Sequence, residues 1–341
     1  MQASKDMDIQ KKDILGNTDS GRKKSGTHKI WLRAAAFAMV VLLLLVAAGK
    51  ICDPIRLGLQ DSVSERERYL LHLLSEPEDM VDVAILGDSE SYTVLSTYHL
   101  WKDAGIASYI GGQSGQWIGE SYFSLKKILK RQSPKVVILE TNEFFSRGDA
   151  SVIKDAAKSA QEFARQMFPI LKYHRFWKME PADPKLQTTI FNGFELRAAV
   201  APGGGYMHTT DDRTPVTFIT RYYLDKIKRL CDAHGTKLLF VTAPSPVNHT
   251  MQRHNEVQAL ADALAVPYLD LNLNTEELGI DWNLDTLDGG DHLNYTGCQK
   301  ATAYLQRYMQ THYTLPDRRD DVRYEAWNKQ AEEFEKLLPQ P

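Results

Sequence analysis

Three uninterrupted apolar runs constrain this chain most: Val83-Ala84-Ile85-Leu86, Val136-Val137-Ile138-Leu139 and Leu238-Leu239-Phe240-Val241. None alternates apolar with polar residues. Strands of this kind must be covered on both faces, as in a parallel sheet between helical layers. The runs lie in strands expected at Val81–Leu86, at 136–139 and at Lys237–Thr242. A weaker strand is expected at Ala107–Ile110 and another at Tyr268–Leu271. Helical spacing fills the gaps. Ile118, Tyr122, Leu125 and Leu129 share one face, and Pro134 marks the end of that stretch. Ile219, Tyr223, Ile227 and Leu230 share another, with Gly235 as a C-cap. Further helices are expected near Glu256–Leu264 and over Thr296–Met309. The pattern predicts an α/β domain with a central parallel sheet covered by helices on both faces, spanning 80–312. Residues 146–215 read as an insertion or lid, with a helix around 151–167 and a turn-rich stretch including Pro202-Gly203-Gly204-Gly205.

The N-terminal part has a different character. Ala34 to Gly49 carry no charge, and with Ile30, Trp31 and Leu32 they approach the roughly 20 residues that span a bilayer. A single transmembrane helix is expected at 30–49, after a disordered leader at 1–29 and before a stalk at 50–79. Leu70, Leu71 and Leu74 hint at a short helix in that stalk. Lys5, Lys11, Lys12, Arg22, Lys23, Lys24, Lys29 and Arg33 outweigh Asp6, Asp8, Asp13 and Asp19. That excess puts the leader in the cytoplasm and the body outside the cell membrane. A signal peptide cut after Ala48 is the alternative. At the other end, Tyr324, Trp327, Ala331, Phe334 and Leu338 follow 3-4-3-4 spacing, so 313–341 read as an amphipathic helix packed on the domain.

Composition excludes some classes of function. A net charge of −3 over 341 residues, without a basic stripe, argues against nucleic acid as a partner. Cys52, Cys231 and Cys298 have no metal-ligand spacing, and aspartates around the single His292 make a weak metal site, so no metal is expected. No other cofactor is expected either.

The residues suited to chemistry sit beyond strand ends, where open parallel sheets bind ligands. Gly87-Asp88-Ser89 follows the first strand, and Ser89 is the candidate nucleophile. A serine hydroxyl needs a base, and His292 is the candidate. Asp285, Asp288 and Asp291 crowd before it, with Gly289-Gly290 allowing a tight turn. A carboxylate on one imidazole nitrogen fixes the tautomer and stabilises the imidazolium. Asp288 is favoured for that place, because adjacent residues such as Asp291 and His292 tend to point apart. Asn142 and Gly115 could act as oxyanion donors together with the Ser89 N–H.

The chain resembles the SGNH (GDSL-type) hydrolase superfamily in four ordered blocks over roughly 80–310. These are Gly87-Asp88-Ser89, Gly111-Gly112-Gln113-Ser114-Gly115, Glu140-Thr141-Asn142-Glu143 and Asp288-Gly289-Gly290-Asp291-His292-Leu293-Asn294. The resemblance implies a flavodoxin-like three-layer α/β sandwich, with Ser89 as nucleophile, Gly115 and Asn142 as oxyanion donors and His292 as base. Two positions depart from it. Glu140 replaces the usual glycine of the third block, and Gly289 stands where the triad acid usually lies, three residues before the histidine.

The leader, anchor and external domain are similar to membrane-anchored SGNH-like proteins of bacterial envelopes. That likeness implies O-acyl transfer on a cell-surface glycan, beside a multispanning membrane O-acyltransferase. An extracytoplasmic carbohydrate esterase using the same residues is an alternative. So is a noncatalytic glycan-binding or scaffold module, which the departures at Glu140 and Gly289 leave open.

Overall fold

The computed structural model describes residues 22–63, 65–145, 151–173, 190–204 and 206–339. The leader up to residue 21, and residues 146–150 and 174–189 of the expected insertion, lie outside them. In chain order the helices are α1 (Arg22–Ile51), α2 (Pro54–Leu57), α3 (Glu65–Ser75), α4 (Ser89–Val94), α5 (Thr97–Ala104), α6 (Ile118–Ile128), α7 (Val152–Met167), α8 (Ile170–Tyr173), α9 (Phe218–Ala233), α10 (Met251–Leu264), α11 (Thr275–Leu278), α12 (Tyr295–His312) and α13 (Glu325–Glu335). The strands are β1 (Val83–Leu86), β2 (Ser108–Ile110), β3 (Val136–Glu140), β4 (Ile190–Phe191), β5 (Phe194–Glu195), β6 (Lys237–Thr242) and β7 (Tyr268–Asp270).

The main sheet has five parallel strands in the order β2-β1-β3-β6-β7. Numbered along the chain this is the 2-1-3-4-5 order of flavodoxin-like folds. Ile85 pairs with Ile138, and Ile138 with Leu239, which aligns the apolar runs across the sheet. Every residue of β1 and β3 is buried, so both faces are covered, as uninterrupted apolar strands require. The loops leaving β1, β3, β6 and β7 therefore emerge along one rim.

The domain begins before residue 80. Residues 65–75, expected in a stalk, form α3, and its Leu70, Leu73 and Leu74 lie in the main core. Burying one such side chain contributes about 1.5–3 kcal/mol, which holds α3 against the domain. Leu71 instead joins a smaller cluster with Cys52, Val63 and Tyr173.

The insertion is also part of the body. A β4-β5 hairpin buries Phe191 and Phe194, whose rings meet Phe334 of α13. The tail helix is shorter than expected, because Pro316 and a turn-rich stretch precede it. Within that stretch Arg318 makes a two-pronged ion pair with Asp82, at 2.8 and 2.9 Å. Trp327 and Phe334 then bury one face of α13 on the domain.

Among the described residues, one helix is long and apolar enough to cross a membrane, over His28–Ile51. Its residues 28–44 are exposed.

Candidate active site

Ser89 opens α4 directly after β1. The backbone between them turns at Gly87, whose φ is +151°, a region that favours glycine. A Cβ there would stand 2.5 Å from Cβ of Glu140, so the turn presses against β3 as well. The Asp88 carboxylate accepts from Glu90 N at 3.1 Å and caps the short helix.

His292 reaches Ser89 from the other end of the chain. Its Nε2 lies 2.8 Å from Ser89 Oγ, across 203 positions of sequence. Its Nδ1 lies 2.7 Å from Asp288 Oδ2, while the second Asp288 oxygen accepts from His292 N at 2.7 Å. One carboxylate thus grips both the backbone and the ring of His292. Gly289 and Gly290, at φ +80° and +94°, turn the chain so that a residue four positions back can do this. Asp291 Oδ2 is farther away, 3.9 Å from Nδ1.

Several elements hold this loop. Leu287 N donates to His292 O at 2.9 Å, and Gly290 N donates to Thr286 Oγ1 at 2.7 Å. From the insertion, Ala201 O accepts from Gly289 N at 3.0 Å. From the β6 loop, Ser245 Oγ donates to Asp291 O at 2.7 Å.

Asn142 follows β3 in a 3-10 turn over Thr141–Phe144. Its Nδ2 donates to Asp88 Oδ2 at 2.8 Å, and its Oδ1 accepts from Arg253 Nη1 at 3.0 Å. An amide NH₂ carries two hydrogens, so one remains after the Asp88 bond. Glu140 is the cap of this turn, its Oε2 accepting from Asn142 N at 3.0 Å. The residue that replaces the usual glycine therefore positions the candidate donor.

The second block meets the Ser89 turn through Gly112 and Gln113. Gln113 N donates to Gly87 O at 3.1 Å, and a Cβ on Gly112 would stand 2.8 Å from the same oxygen. Gly115 lies farther along, at φ +59°. It borders a cavity of about 180 Å³ with Arg66, Trp117 and four α7 side chains, Lys158, Gln161, Glu162 and Arg165.

Buried carboxyl groups crowd the Ser89 turn. Burial, reinforced by Asp88, pushes Glu90 well above the usual carboxylate range. Burial, then Asp88 and Glu90, does the same to Glu140. Burial pushes Glu143 up to about 8, against hydrogen bonds from Ser121 and Gln116. Asn248 ties Glu90 to the histidine loop: its Nδ2 donates to Glu90 Oε1 at 2.7 Å and to an Asp291 carboxylate oxygen.

Sequence reasoning missed Glu90, Asn248 and Arg253 as parts of the site. The signal for two of them was weak but present. Asn248 and Arg253 lie just after Thr242-Ala243-Pro244, which leaves a strand end on the same rim.

Sheet order, the serine turn after β1 and the late histidine loop coincide in one place. The fold is a flavodoxin-like α/β sandwich around a parallel sheet, with Ser89 and His292 meeting on one rim. No family model matches the chain, and no curated protein matches it. Similar solved structures include a GDSL-like lipase from Bacteroides thetaiotaomicron VPI-5482, at 12% identity over 72% of this chain and 96% of that one, with a TM-score of 0.36. An acetyl xylan esterase is similar at 13% identity over 67% of this chain and 98% of that one, with a TM-score of 0.35.

Chemically, the Ser89-His292-Asp288 arrangement can deprotonate a hydroxyl as it attacks a carbonyl and return the proton to a leaving alcohol.

Proposed function

We propose that this protein is a serine acyl-ester enzyme that transfers O-acyl groups to or from a cell-surface glycan. The observation that carries the reading is the 2.8 Å contact between His292 Nε2 and Ser89 Oγ, with Asp288 bonded to the opposite ring nitrogen. Ser89 Oγ attacks the acyl carbonyl, and His292 takes the hydroxyl proton. Asp288 holds the imidazole and stabilises its cation. The Ser89 N–H and the remaining Asn142 hydrogen hold the oxyanion, while Gly115, expected as a third donor, borders the Arg66–α7 cavity instead. The bond to the leaving oxygen breaks, and His292 gives that oxygen its proton. A second hydroxyl then attacks the acyl-serine by the same steps in reverse. A sugar hydroxyl as second nucleophile makes the enzyme a transferase, and water makes it an esterase.

The membrane helix suits a protein that receives acyl groups from a multispanning membrane O-acyltransferase, with its body outside the cell. No metal or cofactor enters the scheme.

The test is a chromogenic acetyl ester and a serine-directed phosphonate, applied to the full chain in detergent. The wild type should turn over the ester and take up label at Ser89, and Ser89→Ala should do neither. Absence of label and turnover in the wild type would overturn the reading. Added oligosaccharide then separates acyl transfer from hydrolysis.

A further inference from the structure

Helix α7 is amphipathic in the unusual sense that its polar side faces the protein. Asp155 and Glu162 are buried. Thr217 Oγ1 donates to Asp155 Oδ2 at 2.6 Å, and Ser159 shares a hydrogen bond with Tyr223 of α9. Ile153, Ala156, Ala160, Phe163 and Met167 follow 3-4-3-4 spacing, and all are exposed. Exposure reaches 83% at Ile153, 58% at Phe163 and 52% at Met167. A stripe of this kind over about 20 Å of helix is a poor surface to leave in water.

Its neighbourhood names the occupant. The segment after α7 runs against the last turns of α1, the helix able to cross a membrane. A Cβ on Gly49 would stand 3.0 Å from Cδ of Pro169. Tyr173 of α8 shares a small core with Cys52, just past the end of α1. Leu171 and Ile51 are exposed beside this junction, at 49% and 66%. The stripe is thus continuous with the place where the chain would leave the bilayer.

We infer that the apolar face of α7 lies in the lipid headgroup boundary and holds the domain down on the membrane beside its own anchor. This rests on α1 being a retained membrane span. An interfacial helix of this type buries its apolar face by about 5–10 Å. The membrane then completes the surface that α7 leaves uncovered.

The test uses the full chain in phosphatidylcholine and phosphatidylglycerol vesicles. The native Cys52, Cys231 and Cys298 are buried, so an added exposed cysteine is the preferred site for a fluorescent label. Phe163→Cys and Ile153→Cys report on the stripe, Lys158→Cys on the opposite side of α7, and Leu43→Cys on α1. Doxyl groups on the lipid chains should quench labels at 163, 153 and 43 several-fold more than the label at 158. Quenching at 43 with equal, weak quenching at 163, 153 and 158 overturns the inference and leaves the anchor standing. That result would hand the stripe to a protein partner. Weak quenching at 43 as well removes the anchor, and the inference with it.

Discussion

Arg253 Nη1 donates to Asn142 Oδ1 at 3.0 Å, and this bond decides which way the amide points. Flipped, the amide would set its NH₂ against a guanidinium. Arg253 is itself fixed by the Phe145 ring, 4.7 Å away, and by the carbonyl of Asn248. Burial lowers its pKa while Glu140 and Asp88 support its charge. The α10 helix thus sets the donor on the β3 turn.

Removing either partner should slow ester turnover without removing the nucleophile. Losing an oxyanion donor costs about 10²–10³ in kcat, and that is the drop expected for Asn142→Ala. Arg253→Met should show part of that loss, in kcat rather than KM, with phosphonate labelling of Ser89 retained. Unchanged kcat in both variants would strip Asn142 of its role.

The two candidate acids should separate cleanly. Asp288 bonds the ring and the backbone of His292, so Asp288→Asn should lower kcat by about 10²–10⁴. Asp291 is bonded to Asn248, on the side toward Glu90, and lies 3.9 Å from the ring. Asp291→Asn should cost much less than Asp288→Asn, from loosening of the loop that Asn248 holds. Steady-state rates on the chromogenic ester decide, and the reverse order would exchange the two assignments.

How much of this was legible depended on the range of the signal. Strands β1, β3 and β6 were readable because a short apolar run with no polar face has to be buried on both sides. Ser89 and His292 stood out by their local settings, and the fold then had only to bring two rim positions together. Asn248 and Arg253 gave only the weak cue of following the β6 strand end, since their partners lie 158 and 111 positions away. Residues 65–75 read as a stalk because the apolar face of α3 has its partners after residue 80. Glu140 looked like a defect in a block, and only its bond to Asn142 N gives it a purpose.

Stability should fall as pH rises through the neutral range. Glu143 titrates near 8 when folded, above its ordinary 4.5, because it is buried. The folded chain therefore binds more protons than the unfolded one between these values. The stabilisation is complete below about 4.5 and is lost as pH climbs past about 8. Glu90 and Glu140 are raised too and act with the same sign. A single such group contributes at most about 1.4 kcal/mol per pH unit. Glu143→Gln keeps an acceptor for Ser121 and removes the titration. Urea midpoints taken between about pH 5 and 8 should therefore decline less steeply in the variant. Parallel lines for variant and wild type would remove Glu143 from the account.

The orientation of α1 yields a cell-level prediction. Lys and Arg dominate the residues before His28, and such segments stay in the cytoplasm. The body after Ile51 would then face outward, toward the glycan. Protease added to intact cells should digest the body and spare a tag placed at the N-terminus. The full-length chain should also stay with the membrane fraction, tag included. A tag lost from the mature chain would mean that the apolar segment is a cleaved signal. Digestion of the tag with a protected body would invert the topology, put Ser89 on the cytoplasmic side, and leave a surface glycan out of its reach.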